Sequence, residues 1–357
     1  MERKLVSIQV IEDVAPIAGA DNIMQARVMG WTVVVKRGEF LPGDRCVFFE
    51  IDSVLPDGPA WSEFMRPRGF RVRTLKLRGV LSQGLALPVS ILGGAPAEPG
   101  VDPTGLRPAP RAESAGSPPG DSLTRIDLRD RLGVVKYEPV LPDAREVAGP
   151  FPSRVPKTDE IRLQSALGVL DEIRGRDFFV TTKLDGTSAT YLRDGDAGLV
   201  ACSRNWALVP GENSVWRLAA RYELAARLPP DFAIQGEVCG PGIQKNRLGL
   251  PAIELFVFSV YDVRAARFLD FEPFVAFCAE HGLRTVPIER VVRGDEAAAH
   301  RHDLGSWLEA ARGLYAGTKQ RKEGIVVRPL VETPSATLGG RLSFKVINND
   351  FLLKDDD

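Results

Sequence analysis

The stretch FVTTKLDGTSATYL, residues 179–192, sets a lysine and an aspartate two residues apart where an apolar run ends. Phe179–Lys183 reads as the end of a buried strand, Gly186 breaks it, and a second strand follows. A lysine between two such strands lies near low dielectric. Burial lowers a lysine pKa from about 10.4, by up to 3–5 units when complete. A neutral amine is a nucleophile. Asp185 could orient that amine or hold a metal, and Gly186 lets a ligand approach the backbone. K-x-D-G by itself carries little, because a strand-end lysine that snorkels to water explains it as well.

Further strand ends carry chemistry of the same kind. Glu237 closes the apolar run of IQGEVCGPGIQKN, 234–246, where CGPG prevents the strand from continuing. Tyr261-Asp262 interrupts LFVFSVYDV near its end, and an aromatic there could stack on a base. Glu323-Gly324 opens KEGIVVRP, and Lys345 stands alone in the apolar run RLSFKVIN. An unpaired buried lysine is costly, so Lys345 calls for a partner or a ligand, as does Arg204 in CSRN. Acids could hold a divalent cation, cations could hold phosphates, and an aromatic could hold a base. The sum is a nucleotide site containing a lysine, and no Walker A loop or Rossmann glycine pattern competes for that role.

These residues need strands to position them. Between 123 and 357 the runs at 178–183, 186–192, 198–203, 231–238, 255–263, 324–328 and 341–347 read as strands. Helical spacing of Ile161, Leu163, Leu167, Leu170 and Ile173 predicts a helix capped by Thr158 or Asp159. Further helices are expected over NSVWRLAARYELAARLPP, stopped by Pro229, and near 272–281 and 306–316. That is an α+β domain with a mostly antiparallel core. Residues 1–92 are instead a series of β-branched and aromatic runs broken by turn signals, as in a small barrel. A linker rich in Pro, Gly, Ala and Ser, 93–122, joins the two modules. Trp31, Phe40 and Phe70 could stack bases, although core packing is the ordinary use of such residues in a small barrel. Arg66, Arg68, Arg71, Arg73, Lys76 and Arg78 occupy RPRGFRVRTLKLR without an acid among them, as either a solvated loop and strand face or a phosphate-tracking groove would.

Composition narrows the class. Net charge is −1, so any nucleic-acid surface is local. The cysteines, Cys46, Cys202, Cys239 and Cys278, form no C-x-x-C pair, which suits reduced thiols in a cytoplasmic protein. No signal peptide and no membrane span is read, and a monomer is expected.

In this order and context the motifs resemble the covalent nucleotidyltransferase superfamily, and most closely the RNA ligase 2 family. GEVCGPGIQKN, EGIVVRP and RLSFKVIN carry the match over about 150–350. GWTVVVKRGEFLPGD and LKLRGVLSQGLALP resemble the OB-fold of tRNA-binding synthetase appendages. An OB-fold ahead of such a core is similar to the Deinococcus-type RNA ligase. The resemblance implies an N-terminal OB-fold barrel followed by an antiparallel-sheet, ATP-grasp-like adenylation domain. It implies ATP, with AMP carried on Lys183, and Mg²⁺ or Mn²⁺ on Glu323 and Glu237. Asp185 and Gly186 complete the lysine's motif, and Thr182 stands where the prototype has an acid. Arg204 contacts the nucleotide or the adjacent end, Glu237 the ribose, and Lys345 the α-phosphate, while Tyr261 stacks on adenine beside Asp262. The implied reaction is sealing of 3′-OH/5′-phosphate nicks in RNA or RNA/DNA duplexes.

The family often has a second lysine two residues after the Lys345 position, but this chain has Ile347, and Lys245 and Lys354 are candidates to replace it. Ten residues follow Ile347 in the 357, which speaks against the trailing OB domain of DNA ligases and capping guanylyltransferases. A non-catalytic RNA-binding protein is the other rival.

Overall fold

The computed structural model describes residues 4–93, 126–137, 145–195 and 198–353. The expected linker beyond residue 93 and Lys354 lie outside them. The chain forms two compact units, Glu2–Pro139 and Val140–Asp355.

In the first unit, Val6–Val10 pairs antiparallel with Arg45–Phe49, which pairs with Leu85–Pro88. Asp13–Pro16, Ile23–Val28 and Trp31–Lys36 form a meander. The alternation in WTVVVK sends Trp31, Val33 and Val35 into a core with Phe40 and Phe48. Trp31 and Phe40 are therefore framework, not base-stacking platforms. Thr74–Leu77 and Val80–Gln83 form a hairpin whose turn residues, Arg78 and Gly79, both have positive φ, 49° and 81°. This is the turn that matches strand twist. Residues 128–136, grouped by sequence with the second module, pack on the first. Leu128, Leu132 and Val134 join the cluster of Val6 and Phe49, and Val135–Lys136 pairs with Ser53–Val54. Their apolar side chains are buried there, within the compact unit Glu2–Pro139.

The second unit has two sheets. One runs Val147–Pro150, Trp206–Leu208, Gly198–Cys202, Thr187–Asp194, Phe232–Cys239, Glu254–Asp262, Arg267–Phe268. The other runs Ile161–Arg162, Phe344–Ile347, Gly324–Pro329, Phe178–Lys183, Ile288–Val292, antiparallel except for its first pair. Helices Ser214–Arg221 and Phe271–Glu280 bury one face of the first sheet through Val215, Leu218, Phe274 and Cys278. Val169–Ile173 and Leu304–Ala310 do the same for the second through Val169, Ile173 and Trp307.

The helix expected from Thr158 or Asp159 through Ile173 is not formed. Ile161–Arg162 pairs with Phe344–Lys345, a short 3₁₀ turn covers Leu163–Ser165, and only Val169–Ile173 is α-helical. The reason is tertiary: Thr158, Asp159 and Glu160 each hold a distant partner, Ser188, Arg204 and Arg328, so none is available to cap a helix. The run after Asn213 is also interrupted, because Glu223 adopts a left-handed conformation between two shorter helices.

Candidate active site

The K-x-D-G stretch is the crossover between the two sheets. Phe178–Lys183 belongs to one, and Thr187–Asp194 begins the other. Gly186 makes that crossing possible: a Cβ there would stand 2.4 Å from the Val238 carbonyl oxygen and 2.8 Å from Glu237 Cγ. Gly324, at φ 155°, would place a Cβ 2.1 Å from the Val346 carbonyl oxygen. Only glycine fits either position.

Strand alternation decides what faces inward. Phe178, Val180, Ile325, Val327, Phe344 and Val346 face the helices, which leaves Lys183, Val326 and Lys345 on the opposite face. There they line a cavity of about 360 Å³ with Thr158, Asp159, Glu160, Leu184, Asp185, Gly186, Arg204, Glu237, Phe258, Val286, Glu323 and Arg328. That volume is in the range of small-molecule sites. Thr182 also borders it, but its hydroxyl donates to Glu289 (2.8 Å), whose two carboxylate oxygens both accept from Lys322 Nζ at 2.7 Å.

Lys183 Nζ donates to Glu323 Oε2 at 2.6 Å. Arg247 Nε donates to Asp185 at 2.8 Å. Arg328 is 2% exposed and wholly committed. It reaches Glu160 (2.5 Å), the Phe258 carbonyl (2.5 Å) and Ser343 (3.0 Å), and so ties the two sheets together beside the cavity. Arg204 is exposed at the mouth and paired with Asp159.

The charge balance corrects one expectation. Burial would lower Lys183, but Glu323, Glu237 and Glu160 outweigh it and hold the amine above the ordinary lysine range. Burial, with Lys183 and Arg162 adding to it, pushes Lys345 down to about 8. Burial, against the attraction of Lys183 and with Glu323 adding, pushes Glu237 up to about 7. Asp185 is also raised by burial, opposed by Arg247. Burial would raise Glu160, yet Arg328, Arg341 and Lys345 keep it below the usual carboxylate range. The amine of Lys183 is thus held protonated by an acid-rich surround.

The structure brings Thr182, Lys183, Asp185, Gly186, Arg204, Glu237, Glu323 and Lys345 to one cavity. It does not bring Tyr261 or Asp262. Tyr261 is buried at the far end of its strand, edge-on to Phe268 with ring centroids 4.9 Å apart, and Asp262 accepts the Ala265 N–H in a turn. The aromatic at the cavity is Phe258. The register of its strand slips between Gln235↔Ser259 and Gly236↔Val257, leaving Phe258 as the extra residue of a β-bulge. A bulge re-aims a side chain, and no alternation count could place it. Glu160, Arg328 and Val286 were also missed. Arg328 had a signal: it is a lone charge in the apolar run IVVRP, the same pattern that singled out Lys345. Lys245 is exposed and lies outside the cavity, and Ile347 is buried against Gly324.

In the first unit the basic stretch is partly neutralised. Arg66 is paired with Asp57 and Glu63, and Arg71 with Asp52 at 2.6 Å while stacking on Tyr137. Arg68, Arg73, Lys76 and Arg78 are exposed, and no acid among the described residues pairs with them.

Comparison with known proteins agrees with this geometry. Residues 176–347 match a family model described as RNA ligase, and residues 5–89 match an OB-fold domain. Among solved structures, a Naegleria gruberi RNA ligase with PPi aligns at TM-score 0.77 and 30% identity, covering 99% of each chain. A lysine-to-alanine variant of that ligase with ATP and Mn aligns at 0.76 and 30%, covering 98% of this chain and 99% of the other. A glutamate-to-alanine variant with AMP and Mn aligns at 0.77 and 31%, covering 99% of both. No curated protein sequence matches the chain.

Proposed function

The chain belongs to the RNA ligase family, whose members join nucleic-acid ends at the expense of ATP, and from that premise we propose that it seals 3′-OH/5′-phosphate nicks through a lysyl-AMP and then an RNA-adenylate. The observation that carries the reading is Lys183 inside a cavity where Glu323, Glu237, Lys345, Arg204 and Phe258 converge.

In the first step Lys183 Nζ attacks the α-phosphorus of ATP and pyrophosphate leaves. The amine must first lose the proton its acid neighbours hold. Glu323, in contact at 2.6 Å, and Glu237, titrating near 7, are the acceptors at hand. Phe258 offers a face to the base, with Val286 and Val326 as apolar walls. Lys345 and Arg204 face phosphate charge, which builds as the bonds change. In the second step the RNA 5′-phosphate displaces Lys183 from the adenylate. In the third the 3′-OH attacks and AMP departs.

Glu323 and Glu237 would hold a divalent cation, with Asp185 near. Hard carboxylate oxygens suit Mg²⁺ or Mn²⁺, and Glu237, raised by burial and by Glu323 and Asp185, marks a surplus of acid that such a cation relieves. Among the described residues no three of His, Cys, Asp or Glu converge as a ligand set, so the protein would supply two carboxylates and the remaining positions would fall to water and phosphate oxygens. Bound there, it supplies charge neutralisation for the phosphates.

The OB-fold module, through Arg68, Arg73, Lys76 and Arg78, adds affinity for a nicked RNA or RNA/DNA duplex. Arg66 and Arg71 contribute less, being paired. A monomer in the cytoplasm is part of the same proposal, supported by four cysteines that are all free and buried. Separately, no described helix is long and apolar enough to cross a membrane.

Incubation with α-labelled ATP tests the first step. Wild type is expected to gain AMP on Lys183 by intact and peptide mass, and Lys183→Ala to gain none yet still seal pre-adenylated RNA. Label retained by Lys183→Ala would show the assignment to be wrong.

A further inference from the structure

We propose that Tyr315 is a positioning residue for adenylate transfer, its hydroxyl supplying the hydrogen-bonding rung that the strand ladder lacks where Lys183 and Glu323 leave it. Regular pairing of Phe178–Lys183 with Gly324–Pro329 ends at Lys183 opposite Gly324. Beyond it the chains part. Leu184–Gly186 crosses to the other sheet, and Glu323 turns back toward Lys322. The Tyr315 hydroxyl stands in that gap. It donates to the Lys183 carbonyl (3.2 Å) and accepts the N–H of Asp185 (3.0 Å) and of Glu323 (3.1 Å). A phenol has one proton and two lone pairs, so its capacity is filled by the backbone of three residues of the site.

The ring itself is fixed. Tyr315 is 2% exposed and packs with Leu184, Cys239 and Val286. Its N–H donates to the Gln320 carbonyl (2.9 Å), and its carbonyl accepts the Thr318 hydroxyl (3.0 Å). Tyr315 does not line the cavity, so it touches no nucleotide and acts through Lys183 and Glu323. Without the hydroxyl, the ladder still fixes Lys183 and Gly324, but the N–H groups of Asp185 and Glu323 lose their acceptor and the Lys183 carbonyl loses this donor. The 2.6 Å approach of Lys183 to Glu323 then loses its support, and a displacement of about 1 Å at a reacting group costs on the order of 10²-fold in rate.

The proposal rests on Lys183 being the adenylate acceptor. Single-turnover adenylation is measured against ATP concentration for the full chain, for Tyr315→Phe, for Leu248→Ala and for Lys183→Ala. Leu248 packs on the same apolar cluster without touching the hydroxyl. Tyr315→Phe is expected to lose about 10- to 100-fold in saturating rate while half-saturating ATP changes far less. Leu248→Ala is expected to lower Tm and leave the rate. An unchanged rate in Tyr315→Phe, or equal losses in both variants, overturns the proposal. Hydrogen exchange on the wild type needs no variant to fold: the Asp185 and Glu323 amides should exchange slowly, and fast exchange of both refutes the rung. Label on Lys183→Ala would sink the acceptor assignment while leaving the exchange result readable.

Discussion

The cavity at Lys183 and the basic stretch 66–78 both gather charge, but from partners at very different distances along the chain. Around the cavity, Lys183 meets Glu323, Arg328 meets Glu160 and Arg247 meets Asp185, pairs separated by 140, 168 and 62 residues. In the basic stretch, Arg66 meets Glu63 and Asp57, and Arg71 meets Asp52, at separations of 3, 9 and 19. The cavity pairs are partly or fully buried, where removing one partner strands the other's charge. The surface pairs of Arg66 are in water, where pairs contribute little, and Arg68, Arg73, Lys76 and Arg78, with no acidic partner among the described residues, act as a diffuse field. Chemistry needs the first kind of charge, and holding a polyanion needs only the second.

The largest expected effect is at Arg328. Arg328→Ala leaves Glu160 buried without its partner, a change that costs about 3–5 kcal/mol, and urea unfolding should show it. A loss under about 1 kcal/mol, the surface-pair scale, would erase the contrast between the two regions. Next is Phe258 against Tyr261. Removing a stacking aromatic costs about 1–3 kcal/mol per base, so Phe258→Ala should raise half-saturating ATP about 5- to 150-fold, with guanidine stability nearly kept. Tyr261→Ala should do the reverse, since it opens a cavity in the cluster with Leu192 and Ala233. Reversed outcomes would restore Tyr261 as the base platform.

The third effect is a pH dependence. Folded Glu237 holds its proton up to about 7, against 4.5 for the ordinary group. Between those values the folded chain binds the extra proton, so this group makes stability fall as pH rises through about 4.5–7. His302, pushed down to about 4 by burial with His300 and Arg174 adding, works in the opposite sense between about 4 and 6.5. The diagnostic is therefore the wild-type curve minus that of Glu237→Gln. The difference should decline by roughly 1–3 kcal/mol across that window, and a flat difference counts against the acid crowding of the site. The smallest effect is on the basic stretch. Changing Arg73, Lys76 and Arg78 together to Ala should reduce the salt slope of RNA binding by about 1 for each phosphate no longer neutralised and leave lysine adenylation unchanged. Arg66→Ala should barely move the slope.

The residues legible in the sequence stand either at a visible end of a strand run or as a lone charge within one. Lys183 precedes Gly186, Glu237 precedes the CGPG break, Glu323 precedes Gly324, and Lys345 is a charge in an apolar run. Glu160 was hidden because TDE reads equally well as a helix cap, and only the pairing of Ile161–Arg162 beside Phe344–Lys345 excludes that. Tyr315 was hidden because YAGTKQRKEG has no periodicity to mark it as buried.

The sequence alone thus determined the strand ends, the order of the chemical groups and the two-module layout, because apolar periodicity and glycine breaks act over a few residues. Which aromatic lines the cavity, which acids crowd the lysine, and whether that lysine carries a proton were decided only when the two sheets came together. A bulge re-aims a side chain, and a buried charge takes its energy from whatever lies within a few ångströms, however far away that partner stands along the chain.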